Sequence, residues 1–534
     1  MDTDVLIVGA GPVGLTLAVD LGRRGVRCLL IEQNSAPHMW PKMERCNARS
    51  MEIYRRLGLA EKIRAAGLPA WVPMDVFIVT SLVEPPLLHL PYPSVEDAKK
   101  EIAANNDGTL PLEPYQLISQ YTLEPLLKSA AETLPGVTVR YGCEFLWFEQ
   151  DAHSVTAEIS DGGKTSKIKA KYLVGCDGGT SVIRKQLDIK LSGEGNILQL
   201  RQALYRCDEL FERIAIGKGR HYHVADSQST QLIVQDSTRH FTLHSVIEKD
   251  KDMAAMFEKT VAMPVRYEML YVGEWRQNLL VADRFMDGRV LLAGDAVHLM
   301  IPTGGLGMNT GVGDAIDLGW KLAGTLQGWG GPGLLASYEA ERRPTGHRNV
   351  GASRYASLGR RKWRAQWRPN IHDDTPEGAT TRNNLVAIAD VEQRKTNEMT
   401  GAELGYHYAG SPLMAAEPGE PPYDYIDYRP STFPGVRLPH AWLEDGRAAQ
   451  DCIGDGYTLL RLGGTRADAS ALAAAFRRIG APFTALDLEG AAARDIYGYD
   501  LILVRPDLHV VWRGVRLPED PARLAARATG HSPW

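Results

Sequence analysis

Glycines at positions 9, 11 and 14 sit between an apolar run at residues 5–8 and a second apolar run at 15–21. The first run has the composition of a strand buried on both faces, and the second reads as a helix. G-x-G-x-x-G at such a junction grips a dinucleotide. Gly9 permits the tight turn, Gly11 lets the backbone approach a pyrophosphate, and Gly14 lets helix and strand pack closely, with Pro12 and Val13 completing the loop. Glu32 closes a second strand, residues 27–31, about 20 residues beyond the glycines, where an acid accepts hydrogen bonds from an adenosine ribose. The spacing alone does not choose between NAD and FAD.

Two further segments share this style. Cys176-Asp177-Gly178 follows an apolar strand, and Gly294-Asp295 follows another at 290–293. The latter leads into Gly304, Gly305, Leu306, Gly307, Met308 and Asn309, ahead of a helix near Asp314. An aspartate beside a glycine-rich loop suits a polyol chain, and main-chain N–H groups near Leu306–Asn309 can stabilise negative charge on a reduced ring.

The elements needed to position these groups follow from periodicity. The cofactor segments form a discontinuous Rossmann-like α/β domain, residues 1–68, 111–189 and 281–353, interrupted by stretches at 69–110 and 190–280. The second stretch alternates polar and apolar residues and predicts an antiparallel sheet with one buried face. Tyr222, His223 and Gln235 fall on that sheet, where side chains alternate between pocket and solvent. Residues 354–433 turn polar and read as a helical segment and linker, and 434–534 as a separate β-α unit.

The chain resembles the single-component FAD-dependent aromatic hydroxylases of the para-hydroxybenzoate and phenol hydroxylase type. The resemblance rests on Gly9-x-Gly11-x-x-Gly14, Cys176-Asp177-Gly178, Gly294-Asp295-Ala296-x-His298 and Gly304-Gly305-x-Gly307-x-Asn309, extended by Tyr338-x-x-Glu341-Arg342-Arg343-Pro344. It implies FAD at the three glycine segments, with Asp177 serving both FAD and the pyridine nucleotide, and Arg45 and Gln120 contacting the flavin. It implies a transient NADH or NADPH, and O2 activated as a flavin hydroperoxide that hydroxylates a phenolic or other electron-rich ring. The inserted sheet would roof that ring, Pro302 would help shape a dry pocket, and Glu44 lies near an active-site carboxylate of the phenol hydroxylases. His298 is expected to make a positioning hydrogen bond. Residues 505–514 match the thioredoxin-like C-terminal domain of larger members, without a redox cysteine pair. An epoxidase, a Baeyer–Villiger oxygenase or a polyketide-tailoring oxygenase stays open on the same scaffold, as does a non-catalytic FAD-binding protein.

Composition narrows the classes further. A net charge of −5 gives no basic footprint for nucleic acid. No run approaches the roughly 18 apolar residues of a membrane span, and the fingerprint begins too early for a signal peptide, so a cytoplasmic protein is expected. The six cysteines are scattered without a metal-binding or C-x-x-C spacing. Arg49 and Glu52 read as an ordinary helix-face ion pair. A homodimer is compatible with all of this and dictated by none of it.

Overall fold

The computed structural model describes residues 1–532 apart from His38, Trp40, Pro41 and Arg466. The apolar runs flanking the first glycines form the strand Thr3–Val8 and the helix Pro12–Arg23. That strand lies between Lys164–Gly175 and Cys28–Glu32 in a parallel sheet continued by Val290–Leu292 and Val137–Tyr141. Helices Pro12–Arg23 and Gly307–Leu326 pack together beside it, burying Leu15, Leu17, Val312 and Leu318 in one core. All three glycine segments leave the sheet at strand C-terminal ends, where an open α/β sheet places its ligand.

The inserts build an eight-stranded sheet in the order His298–Leu299, Glu268–Ala282, Leu191–Arg206, His240–Ser245, Gln231–Val234, His221–Val224, Val76–Val79, Leu88–Leu90. It departs from expectation twice. His221–Val224 and Val76–Val79 pair in parallel, because Val76–Val79 arrives from the distant first insert rather than through a hairpin. Neither face of the central strands meets solvent: every residue of His221–Val224 and Gln231–Val234 is buried. One face packs on Phe211, Met253 and Phe257, and the other looks toward the flavin-type motifs. The helix Pro332–Arg364 carries past residue 353 without a break and delivers its last turns to that second face.

The C-terminal sheet runs Phe483–Leu488, Tyr457–Leu462, Leu501–Val504, Val510–Gly514 and is thioredoxin-like, with helices on both faces. It is fused to the first domain through a buried ion network. Arg505 reaches Glu341 at 2.8 Å and Asp317 at 3.0 Å, and Lys321 reaches the same two carboxylates at 2.6 and 2.7 Å. The Arg49–Glu52 pair exists at 3.5 Å but is buried, and Arg437 of the C-terminal region grips Glu52 as well. This is a domain junction rather than a solvated helix face.

Candidate active site

A single cavity of about 1000 Å³ opens between the parallel sheet and the eight-stranded sheet. Its first half is made mainly of main chain. A Cβ on Gly11 would meet nothing nearer than Glu124 Oε1 at 4.0 Å, so that backbone stands open to the cavity. A Cβ on Gly14 would collide with the Gly9 carbonyl, which keeps helix and strand in close contact. The first-turn N–H groups of Pro12–Arg23 and Gly307–Leu326 lack intrahelical acceptors, and both helix starts line the cavity.

The acids of this half differ in how far they are engaged. Glu32 accepts from Ala10 N at 3.0 Å and from Asn34 N at 2.9 Å, which fixes its carboxylate at the end of the second strand. Asp295 is open to the cavity and receives no hydrogen bond from a described residue; the protein around it raises its carboxyl, with His298 and Lys42 pulling the other way. Asp177 accepts from Ile183 N at 3.2 Å, while its Oδ1 is buried without a partner. Glu124 takes the Gln120 amide at 2.6 Å, and burial pushes its carboxyl up to about 7 against that bond and Lys42.

The glycine-rich loop is clamped from the side. Arg45 donates to the Gly304 carbonyl and lies 3.3 Å from Glu403. Gly305, at φ +64°, leaves room for it, since a Cβ there would stand 2.5 Å from Arg45 Nε. Asn309 accepts from Asn47 N at 2.9 Å and donates to Gly305 O at 2.6 Å.

The second half is built of side chains. Glu44 accepts from His221 Nε2 at 2.8–2.9 Å through both oxygens. Burial opposes its charge, yet His221, Arg220 and Arg45 hold it down at about 2. Burial keeps His221 below its usual value despite Glu44, so a neutral imidazole donates to a carboxylate. His244 stacks on Trp275 with ring centroids 6.4 Å apart and planes 27° from parallel, a platform on the cavity wall. Arg220, Gln231, Gln235 and Arg360 complete this end, and Pro302 lies between the halves.

A family model described as FAD binding domain matches residues 2–353, and one described as aromatic-ring hydroxylase, C-terminal, matches 431–531. The FAD-dependent monooxygenase apdD of Emericella nidulans is 33% identical, covering 98% of this chain and 90% of its own length. The 2,4-dichlorophenol 6-monooxygenase of Cupriavidus pinatubonensis is 30% identical, covering 98% and 95%. The solved structure of the rebeccamycin biosynthetic enzyme RebC with reduced flavin superposes with a TM-score of 0.90 at 34% identity, covering 99% of both chains. The chain belongs to the FAD-dependent aromatic-ring hydroxylases.

The residues present fit FAD. The open backbone at Gly11, two helix N-termini, the Asp295 carboxylate open to the cavity and the Asp177 Oδ1, buried without a partner among the described residues, are what a pyrophosphate and a hydroxylated chain would satisfy. Of the expected flavin residues, Gly9, Gly11, Pro12, Val13, Glu32, Arg45, Gln120, Asp177, Asp295, Gly305, Gly307, Met308 and Asn309 line the cavity. Gly14, Gly294 and Leu306 stand behind it. Gly294 lets its loop pack on Val13 and donates to Asp314, and the Leu306 side chain turns to Ala352 and Met399. His298 is buried and bonds Asp314 at 2.7 Å, fixing that loop from behind.

Glu44, Gln235 and Pro302 face the cavity, but Tyr222 does not. Tyr222 points into the opposite core, stacks on Phe77, donates to Gly217 O and accepts from Gly219 N. A strand turns successive side chains to opposite faces, so the pocket residue of that strand is His221. His223 shares its face but is covered by Gln393 and Trp363. Sequence reasoning also missed Glu124, legible as the residue four beyond Gln120 on one helix face. It missed Arg220, Arg360, Asn397 and Glu403 too, which stand in no local pattern.

Proposed function

We propose that the chain hydroxylates a phenolic or larger fused-ring aromatic, with NADH or NADPH as reductant and O2 as oxidant. The supporting observation is that one cavity runs from Gly11 and Asp295 to Glu44, His221 and Trp275. FAD, when bound, carries electrons from NAD(P)H to O2 and supplies the activated oxygen. The remaining work belongs to the chain. Trp275 and His244 offer a flat face for a ring. Glu44, partly open to the cavity, accepts a hydrogen bond from the substrate O–H and orients the ring; held at about 2, with neutral His221 already donating to it, it stays an ionised acceptor and does not store the proton. Ile233, Leu280, Leu299 and Pro302 limit water beside the reacting carbon. The names of the relatives span a dichlorophenol monooxygenase and a rebeccamycin biosynthetic enzyme, so small and multi-ring substrates both belong in the test.

No helix among the described residues is long and apolar enough to cross a membrane, and the six cysteines are all free, which supports a reducing compartment such as the cytoplasm. The deciding experiment adds phenols and fused-ring phenols to the holoenzyme with NAD(P)H and isotope-labelled O2. The expected result is faster NAD(P)H oxidation and a product carrying one labelled ring oxygen. Oxidation that no aromatic accelerates, or a product without label, overturns the reading.

A further inference from the structure

Buried acids in this molecule are held by cations: Glu52, Glu113, Asp314, Asp317, Glu341 and Glu403 each lie in an ion pair with Arg or Lys. Glu124 and Asp236 differ. Both are buried, neither has such a pair among the described residues, and they meet at the start of one helix, Gln120–Glu132.

Asp236 belongs to the turn between Gln231–Val234 and His240–Ser245, yet its carboxylate is satisfied by the helix. Ser119 Oγ donates to it at 2.5 Å, Tyr121 OH at 3.2 Å, and Thr122 Oγ1 donates as well. Ser119 stands at the N-cap position but its side chain caps no first-turn N–H; the hydroxyl is turned to Asp236 instead. Three hydroxyls and the positive end of the helix keep this buried charge in place of a cation.

The other side of the same helical turn lines the cavity. Gln120 and Glu124, four apart, both face it, and Glu124 Oε1 lies 4.0 Å from where a Gly11 Cβ would stand. Ser119, Tyr121 and Thr122 bracket Gln120 in the chain, so fixing them fixes it. On the sheet side Gln235 lines the cavity, while Asp236 turns away from it to the helix. One two-residue step touches the sheet half with its first side chain and holds the cofactor helix with its second.

We propose that Asp236 is a positioning residue for the cofactor: from the eight-stranded sheet it sets where Gln120 and Glu124 stand against FAD. It acts through the helix and touches no reacting atom. The role depends on the FAD site and not on the aromatic, so loss of the hydroxylase reading leaves it standing.

The test titrates apoprotein with FAD and follows thermal unfolding alongside. Asp236→Ala should weaken FAD binding roughly 3- to 30-fold, and Asp236→Asn, which keeps an acceptor oxygen, should lose less. A double-mutant cycle separates positioning from stability. Gln120→Ala should weaken FAD binding in the otherwise native chain and add almost nothing beside Asp236→Ala. Asp295→Ala, on a separate loop, should cost the same factor in both backgrounds. If Asp236→Ala fails to fold, the cycle is run on Thr122→Val, which removes one of the three hydroxyls. Unfolding at lower temperature with unchanged FAD affinity overturns the proposal, as does a Gln120→Ala effect of full size beside Asp236→Ala or none in the native chain. So does tighter FAD binding in both Asp236 variants, which would make the carboxylate no more than a negative charge near the pyrophosphate.

Discussion

The two halves of the cavity recognise their ligands by opposite means. The dinucleotide half presents main chain: glycines a Cβ would spoil, first-turn amides and a few acids at strand ends. The sheet half presents side chains delivered by five separate stretches, around residues 44, 220–244, 275–280, 360 and 396–397. Main-chain recognition requires particular residues at fixed local spacing. Side-chain recognition requires only that distant residues meet, so each can come from anywhere in the chain.

That contrast can be broken most forcefully at the glycines. Gly11→Val should leave a folded protein that is colourless, because its Cβ enters open space intended for cofactor. Gly14→Val should fail to fold, because its Cβ meets the Gly9 carbonyl. Thermal unfolding alongside flavin content separates the two, and a yellow, stable Gly14→Val protein would end the main-chain account.

Asp295→Ala should weaken FAD binding by roughly 10- to 100-fold through loss of a charged acceptor, with little change in the unfolding of the apoprotein. Titration of apoprotein with FAD measures it. Unchanged affinity would remove Asp295 from the site.

On the sheet half, Glu44→Gln should keep FAD and lose on the order of 100-fold in product formation. Electrons drawn from NAD(P)H would then appear increasingly as hydrogen peroxide. Tyr222→Phe should cost about 1 kcal/mol of stability and leave the product-to-NAD(P)H ratio intact, since its hydroxyl serves Gly217 and Gly219. A Tyr222→Phe variant that uncouples would reverse the assignment of the sheet's faces.

The smallest effect concerns pH. Burial raises Glu124 to about 7, with Gln120 and Lys42 opposing and Glu32 adding to the rise. Below that value the carboxyl is neutral near Gly11; above it, a negative charge faces the place of the pyrophosphate. FAD affinity should therefore fall modestly as pH climbs through about 7, and Glu124→Gln should flatten the profile. A wild-type affinity that rises over the same interval contradicts this.

Legibility divides along the same line. Gly9, Gly11, Gly14, Glu32, Asp177, Asp295 and the 304–309 loop were readable because turn geometry and helix starts dictate residue types at short range. Gln235 lines the cavity and Tyr222 does not, because a period of two forgives no error of one residue. The parallel join of Val76–Val79 to His221–Val224 was invisible for a related reason: nothing local records a pairing across more than a hundred residues. Arg220 and Arg360 carried no signal at all, since an arginine that will line a cavity looks in sequence like any surface arginine.

The buried network of Arg505, Lys321, Glu341 and Asp317 bears on how such chains can be inherited. Lys321 and Asp317 lie on the helix whose first turn faces the cofactor, and their neutralising partner Arg505 belongs to the C-terminal sheet. A gene broken near residue 434 would strand two acids on one lysine and bare Trp320 and Leu334 to water. The C-terminal module is therefore not an exchangeable accessory. It and the flavin module can be shuffled among relatives only together, or with Asp317, Lys321, Glu341 and Arg505 replaced as a set.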